Sequence, residues 1–175
     1  MTFRGGIQPG TTAFDDESRD LDASVKSIAK QLAEEYVQFD VTWIFSHAQK
    51  MQWVGDDCFG FAPDGGAWFL NDTLVAVFEA KKQGLGGNAQ ERWWDNACTA
   101  RYINESVRYH TFCRGQGCAE KGPLDRLSRK APLMLGTNFT FSLSQTGFSH
   151  QEIESQMRTI LEQVLNLYPC SGTLQ

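Results

Sequence analysis

The chain has 175 residues, of which 41% are hydrophobic, and a formal net charge of −5. That length, with five Trp and twelve Phe, is enough to bury one substantial core, so we expect a single domain over residues 1–175. No apolar run is long enough for a transmembrane helix, and we therefore expect no membrane partner.

The charge is distributed unevenly along the chain. Residues 81–135 contain ten Lys or Arg against five Asp or Glu, whereas residues 1–80 contain five against thirteen. An acidic total argues at first against a nucleic-acid partner, but a local cationic surface is what phosphate contacts need. We expect residues 81–135 to supply such a surface, although some of these charges will only solvate a helix. The acidic cluster formed by Asp15, Asp16, Glu17, Asp20 and Asp22 is expected to lie away from the nucleic acid.

The first predicted element is an amphipathic helix. Residues 1–14 precede it and are expected to form a mobile N-terminal segment rather than a signal peptide. Either Asp20 or Asp22 can cap the helix, and the apolar positions that follow recur at helical spacing. These positions are Leu21, Val25, Ile28, Ala29, Leu32, Ala33 and Tyr36. Residues 39–45 alternate weakly and predict an edge strand.

A turn and a β-hairpin are predicted next. Residues 63–66 (Pro-Asp-Gly-Gly) are typical of a turn, because Pro presets φ and Gly adopts the dihedral angles that follow. Residues 66–70 and 73–78 then predict two strands joined by Asn71-Asp72. Since side chains alternate along a strand, four residues of the second strand are expected on one face. They are Val75, Val77, Glu79 and Lys81.

Charged residues at the end of this second strand predict a metal-dependent active site. Asp64 and Glu79 supply the carboxylate oxygens that Mg²⁺ prefers, and Lys81 can hold a water molecule beside the developing charge. This chemistry suits direct hydrolysis of a phosphodiester. The alternative is that the three residues are solvated surface charge. Asp56 or Asp57 can add a ligand, but solvated loop charge is the preferred interpretation for both.

Three motifs in this order resemble the EcoRI family of type II restriction endonucleases, within the PD-(D/E)xK nuclease superfamily. They are Pro-Asp-Gly-Gly at 63–66, Glu-Ala-Lys-Lys-Gln-Gly at 79–84 and Gly-Asn-Ala-Gln-Glu-Arg at 87–92. Residues 133–139 resemble the family's later core strand and its Gly-x-Asn-Phe turn. The resemblance implies an α/β fold with a PD-(D/E)xK nuclease-like core, in which helices flank a central mixed β-sheet. Only Leu85 and Gly86 stand where the family has a long insertion.

The resemblance also implies an activity. It predicts a Mg²⁺-dependent site-specific deoxyribonuclease that hydrolyses double-stranded DNA at a short palindrome containing AATT. Asp64, Glu79 and the main-chain carbonyl of Ala80 would bind Mg²⁺, and Lys81 would serve the attacking water. Because two DNA strands call for two active sites, we expect a C2 homodimer. The alternatives are another nuclease of the superfamily (repair, phage or junction-resolving) and a sequence-specific DNA-binding protein that does not cleave.

The start of the next helix would read the DNA. In the family, the Asn, Glu and Arg of the Gly-Asn-Ala-x-Glu-Arg segment form a network over the central bases; here they are Asn88, Glu91 and Arg92. Bidentate pairing of Asn with adenine agrees with this role. Lys82 would join the cations that contact phosphate. Asn88 can alternatively be only the N-cap of this helix.

The remaining elements are predicted from pattern. A helix is expected from residue 88 to about 109, a Gly-rich and Cys-rich loop over 112–122, and a strand over 133–135, which together make a βαβ unit with the hairpin strand. A final helix is predicted over 150–168. Its N-terminus has a capping box formed by Ser149 and Glu152. Its apolar stripe is Ile153, Met157, Ile160, Leu161, Val164 and Leu167.

The sequence contains five cysteines. Their odd number and the missing export signal predict reduced thiols in the cytoplasm. The alternative for part of them is a Zn²⁺ site formed by His110, Cys113 and Cys118, with Cys98 as a fourth ligand.

Overall fold

A five-stranded sheet with two helices on each face forms the part of the chain that the structure describes. This computed structural model describes residues 12–45, 61, 63–82 and 87–168, without the side chains of residues 12–20, 87 and 88. The strands are β1 (Val41–Ile44), β2 (Ala67–Leu70), β3 (Thr73–Lys82), β4 (Arg108–Arg114) and β5 (Phe139–Ser144). The helices are α1 (Thr12–Glu35), α2 (Gly87–Ile103), α3 (Pro123–Leu135) and α4 (His150–Leu167). None of the described helices is long and apolar enough to cross a membrane.

The sheet is mixed, with the strands in the order β1-β2-β3-β4-β5. The pairs β1/β2 and β2/β3 are antiparallel, whereas β3/β4 and β4/β5 are parallel. The predicted α/β class, with a central mixed sheet flanked by helices, is therefore confirmed, as is the edge position of β1. Strand β3 lies at the centre, and the parallel half of the sheet places its C-terminal end beside that of β4.

The predicted hairpin is present, but it contains a bulge. The β2/β3 register shifts directly after Trp68, which leaves Val75 as an extra residue on β3. Val75 therefore packs on the same side of the sheet as Phe78, not with Val77 as predicted. Beyond the bulge the alternation is regular, so Val77 and Glu79 share a face.

Helices α1 and α4 cover one side of the sheet, which we call the α1/α4 face. The predicted stripe of α1 is confirmed from Leu21 to Ala33, and Trp68 of β2 donates a hydrogen bond from Nε1 to the carbonyl of Ala29 at 2.7 Å. Helix α1 begins at Thr12, so Asp20 and Asp22 lie inside it and neither caps it as predicted. The apolar core of this face includes Val25, Ile28, Leu32, Phe78, Phe112, Ile153, Met157 and Leu161.

Helix α4 also matches its prediction at the N-terminus. The Ser149 side chain accepts from the Glu152 amide at 3.1 Å, and the Glu152 carboxylate accepts from the Ser149 amide at 2.9 Å. The capping box is thus confirmed. Leu167, predicted in the apolar stripe, is instead 55% exposed in the last turn.

Helices α2 and α3 cover the opposite side, which we call the α2/α3 face. Its buried residues include Phe69, Leu74, Val77, Trp93, Ala97, Tyr109, Leu127 and Phe139. Trp93 meets Tyr109 edge to face and stacks on Phe141 at an interplanar angle of 30°, with centroid distances of 5.5 and 5.4 Å. This aromatic cluster fixes α2 against β4 and β5.

The second half of the chain corrects three predictions. Helix α2 ends at Ile103 rather than near residue 109, because Asn104 forms a turn in which its side chain accepts from the Ser106 amide and donates to the carbonyl of Leu74. Strand β4 then occupies Arg108–Arg114, where a helix end and a loop were predicted. The βαβ unit therefore joins β3 to β4 through α2.

The predicted strand over residues 133–135 is also wrong. These residues form the last turn of α3, where Leu133 is 87% exposed. The buried residues of α3 are Leu124, Leu127 and Ala131, which recur at helical spacing, and β5 begins only at Phe139. Asp56, Asp57 and residues 1–11 of the predicted mobile segment lie outside the described residues, whereas residues 12–14 of that segment belong to α1.

Candidate active site

The turn before β2 and the end of β3 bring the three predicted catalytic residues together. The Asp64 amide donates to Glu79 Oε1 at 2.9 Å. Asp64 Oδ2 in turn accepts from the Ala80 amide at 3.4 Å and lies 3.6 Å from Lys81 Nζ. Two carboxylates and an ammonium group therefore meet at the C-terminal end of the central strand.

Two glycines allow this turn to lie against β3. The Gly65 amide donates to the Phe78 carbonyl at 2.9 Å, and the Phe78 amide donates to the Gly66 carbonyl at 3.1 Å. A Cβ on Gly65 would lie 2.6 Å from Val25 Cγ1, and Gly66 has a φ of +81°. Side chains at either position would push Asp64 away from Glu79 or strain the backbone.

Glu79 is the most constrained member of the group. Its side chain is fully buried, and Oε2 accepts hydrogen bonds from Tyr109 Oη at 2.7 Å and from Asn96 Nδ2 at 3.2 Å. Burial, together with the neighbouring charge of Asp64, raises the pKa of Glu79 to about 7, against the smaller lowering effects of Lys81 and Tyr109. The site thus buries a carboxylate that accepts three hydrogen bonds and whose charged form is opposed by burial and by Asp64.

Sequence reasoning missed both Asn96 and Tyr109. Asn96 is a buried polar residue on the sheet-facing side of α2, one turn after Trp93. A polar residue on the apolar side of a helix could have been recognised from the sequence as a candidate site residue. Tyr109 gave no such signal, because strand β4 was not predicted. Its ring lies between those of Trp93 and Phe139, so its hydroxyl is held in place.

A further carboxylate from α1 lies at the edge of the site. Lys82 points to the opposite side of the sheet from Lys81, and its Nζ lies 3.4 Å from Asp22 Oδ2. Burial raises the pKa of Asp22, with a further contribution from Asp64. Asp22 Oδ1 is buried and has no hydrogen-bond donor within reach among the described residues. Asp22 therefore lies beside Lys82, one of the cations predicted to contact DNA.

The donor set fits a hard divalent cation. Asp64 and Glu79 both supply carboxylate oxygens where the turn meets β3, the Ala80 carbonyl belongs to the same strand end, and among the described residues Lys81 is the cation that pairs with this group. A cation would relieve the repulsion that raises the pKa of Glu79. Mg²⁺ needs few protein ligands because it retains several waters, and the described residues contain no closed group of three or more His, Cys, Asp or Glu ligands.

No protein-family model, curated protein or solved structure matches this chain. The resemblance to the EcoRI family therefore rests on the three motifs and on the arrangement of their residues.

The residues predicted to read DNA lie along the start of α2. Asn88 is the second residue of the helix rather than the residue before it, and its side chain is outside the described set. Glu91 and Arg92 are exposed. Residues 83–86 alone separate the end of β3 from the start of α2. The helix therefore begins only a few residues after Glu79, at the strand end that carries the candidate site.

Exposed cations continue on α2, on α3 and on the segment before α3. They are Arg92, Arg101, Lys121, Arg126, Arg129 and Lys130. Arg129 pairs with Asp125 on the same helix, and Lys130 Nζ lies 5.7 Å from the ring centroid of Trp94. The basic segment predicted from composition therefore contributes exposed charge to the α2/α3 side of the molecule.

The alternative Zn²⁺ site is contradicted. His110 and Cys113 point to opposite faces of β4, since they are three residues apart on one strand. Both ring nitrogens of His110 lie 2.7 Å from hydroxyl groups, those of Thr140 and Ser142.

Proposed function

We propose that this protein is a Mg²⁺-dependent endonuclease of the type II restriction class, with a PD-(D/E)xK nuclease-like core resembling that of the EcoRI family. Its substrate would be double-stranded DNA containing a short palindrome with a central AATT. The observation that carries the proposal is the meeting of Asp64, Glu79 and Lys81 at the C-terminal end of β3, in a chain whose next helix begins with the Gly-Asn-Ala-Gln-Glu-Arg motif.

In the proposed hydrolysis, some residues bind the metal and another orients the attacking water. Asp64, Glu79 and the Ala80 carbonyl would hold Mg²⁺, which when bound polarises the scissile phosphate and lowers the pKa of a coordinated water. Lys81 Nζ, 3.6 Å from Asp64 Oδ2, would orient the attacking water and offset the negative charge that develops on the phosphate oxygens. Water adds to phosphorus as one P–O ester bond breaks, and the proton from water ends on the departing alkoxide. No covalent enzyme intermediate is needed.

DNA recognition would use the start of α2 and the cations beside it. Asn88, Glu91 and Arg92 would contact bases in the major groove, while Lys82 and the exposed cations of α2 and α3 would contact phosphates. Such binding weakens steeply as salt rises, whatever the net charge of the whole chain. A palindromic target and two cuts call for a C2 homodimer.

The first test is digestion of a long duplex of known sequence with Mg²⁺, followed by sequencing of the fragment ends. Parallel reactions use the Lys81→Ala variant and Ca²⁺ in place of Mg²⁺. The proposal predicts discrete fragments whose ends share one palindrome and which disappear in both controls.

Other outcomes point elsewhere. Random degradation or structure-dependent nicking would favour a repair, phage or junction-resolving nuclease built on the same residues. Binding of DNA without cleavage would favour a sequence-specific DNA-binding protein. Folded protein that neither binds nor cuts DNA across salt and metal conditions would overturn the proposal.

A further inference from the structure

Glu79 is held by donors from three separate segments of the chain. The Asp64 amide of the turn engages Oε1, whereas Asn96 of α2 and Tyr109 of β4 both engage Oε2. The hydrogen bond from Tyr109 is the shortest of the three, at 2.7 Å. A carboxylate at the end of a strand would ordinarily be free to rotate, but these contacts hold it in one orientation.

The two side chains on Oε2 are themselves fixed. Tyr109 is fully buried, with its ring 5.2 Å from that of Phe139 and 5.5 Å from that of Trp93. Trp93 is anchored in turn by a hydrogen bond from Nε1 to Thr111 Oγ1 at 2.9 Å. Asn96 is buried one turn farther along the same helix. Packing and hydrogen bonds therefore restrict the orientation of both side chains.

We infer that Tyr109 and Asn96 are positioning residues, which act through Glu79 to prepare it as a ligand for a divalent cation. The inference rests on the proposed function, because it assigns Glu79 to the metal. A ligand that is already oriented binds with a smaller loss of conformational freedom, and partners of this kind commonly determine metal affinity. Neither residue touches the substrate in this role, so neither is a catalytic residue.

The physical alternative is that the network only stabilises the fold. Glu79 would then be a buried polar residue satisfied by its neighbours, and loss of one neighbour would lower the free energy of unfolding without a specific effect on metal binding. The two roles predict different results for variants that remove a single donor and keep the surrounding shape.

The test is a Mn²⁺ titration of the full chain, in which the electron paramagnetic resonance signal of free Mn²⁺ reports binding. The variants are Tyr109→Phe, Asn96→Ala and Glu79→Gln, and Tyr102→Phe is the matched control because Tyr102 is 78% exposed on α2. Near-ultraviolet circular dichroism establishes that each variant is folded. We expect Tyr109→Phe to bind Mn²⁺ about 10–100-fold more weakly, Asn96→Ala to weaken it less, and Tyr102→Phe to match the unmodified protein.

The outcomes separate this inference from the proposed function. If Glu79→Gln abolishes binding while Tyr109→Phe and Asn96→Ala bind like the unmodified protein, the positioning role is wrong and the metal centre stands. If the unmodified protein does not bind Mn²⁺, or Glu79→Gln binds it equally well, the metal centre and the positioning role both fail. Should Tyr109→Phe not fold, Asn96→Ala decides the question, because it removes a donor from a different element.

Discussion

The two faces of the sheet bury ionisable groups in opposite ways. On the α1/α4 face, His110 is neutral, and each of its ring nitrogens lies 2.7 Å from a hydroxyl group. Burial lowers its pKa to about 4. On the α2/α3 face, Glu79 is buried beside a second carboxylate, that of Asp64, and its pKa is raised to about 7.

The two groups differ in how the protein around them balances their charge. A neutral, fully paired histidine creates no electrostatic conflict inside the fold. Two adjacent carboxylates do create one, and such conflicts are concentrated at functional sites, where a ligand resolves them. For this reason we place the proposed chemistry on the α2/α3 side of β3.

The largest effect on DNA cleavage is expected at Lys81. Its neighbour Lys82 points to the opposite face of the sheet and serves as the comparison. Lys81→Ala should lower the single-turnover cleavage rate by about 10²–10³-fold, because it removes a cation aimed at developing charge. Lys82→Ala should lower it only a few-fold, since Lys82 points to the other face of the sheet and pairs there with Asp22 of α1. Equal losses in the two variants would show that the faces do not differ in function.

Glu79 should make the metal-free protein less stable as the pH rises. The pKa of Glu79 in the folded state lies above its ordinary value of 4.5. Its contribution to the free energy of unfolding is therefore complete below pH 4.5 and is lost as the pH rises through 7. The loss is about 3 kcal/mol in the free energy of unfolding. Urea denaturation in EDTA between pH 4.5 and 8 measures it. The Glu79→Gln variant should lack this slope, and an unchanged slope would assign the effect to another group.

His110 should produce the opposite trend. The pKa of His110 in the folded state lies below its ordinary value of 6.5. Its contribution to the free energy of unfolding is therefore complete above pH 6.5 and is lost as the pH falls toward 4. A loss of about 3 kcal/mol is expected. The same denaturation series compares the protein with His110→Gln, which cannot titrate. If both proteins lose stability alike in this range, the buried histidine is not the cause.

The smallest effect is expected at the capping box on the α1/α4 face. Ser149→Ala should lower the free energy of unfolding by about 1 kcal/mol, because it leaves the Glu152 amide without its acceptor. Cleavage at a temperature where the variant is folded should be unchanged. A loss of cleavage without a loss of stability would extend the functional region to this face.

Local chemistry was enough to predict the elements that the chain specifies over short distances. The Asn71-Asp72 turn, the capping box of α4 and the buried stripe of α1 all follow from residues a few positions apart. The juxtaposition of Asp64 with Glu79 was also predictable, because a turn and a hairpin strand determine it. These features need no information from the rest of the fold.

Strands β4 and β5 could not be recognised in the same way. Strand β4 contains His110 and Thr111, polar residues that are buried only because other strands and helices supply hydrogen-bond partners. The apolar residues 133–135 suggested a strand by composition, although the helical spacing of the α3 core left Leu133 in solvent. Strand pairing depends on distant partners, so local propensity is a weak guide to it.

By itself, then, the sequence determined the charged triplet of Asp64, Glu79 and Lys81, the hairpin that carries it and the two helices of the α1/α4 face. Only the tertiary structure decided what surrounds the triplet. Tyr109 and Asn96 reach Glu79 because parallel pairing of β3 with β4 and packing of α2 on the sheet bring residues 17 and 30 positions away into contact. Asp22 joins the edge of the site from a helix 60 residues before Lys82. Contacts across such distances come from packing and burial, which no local pattern encodes.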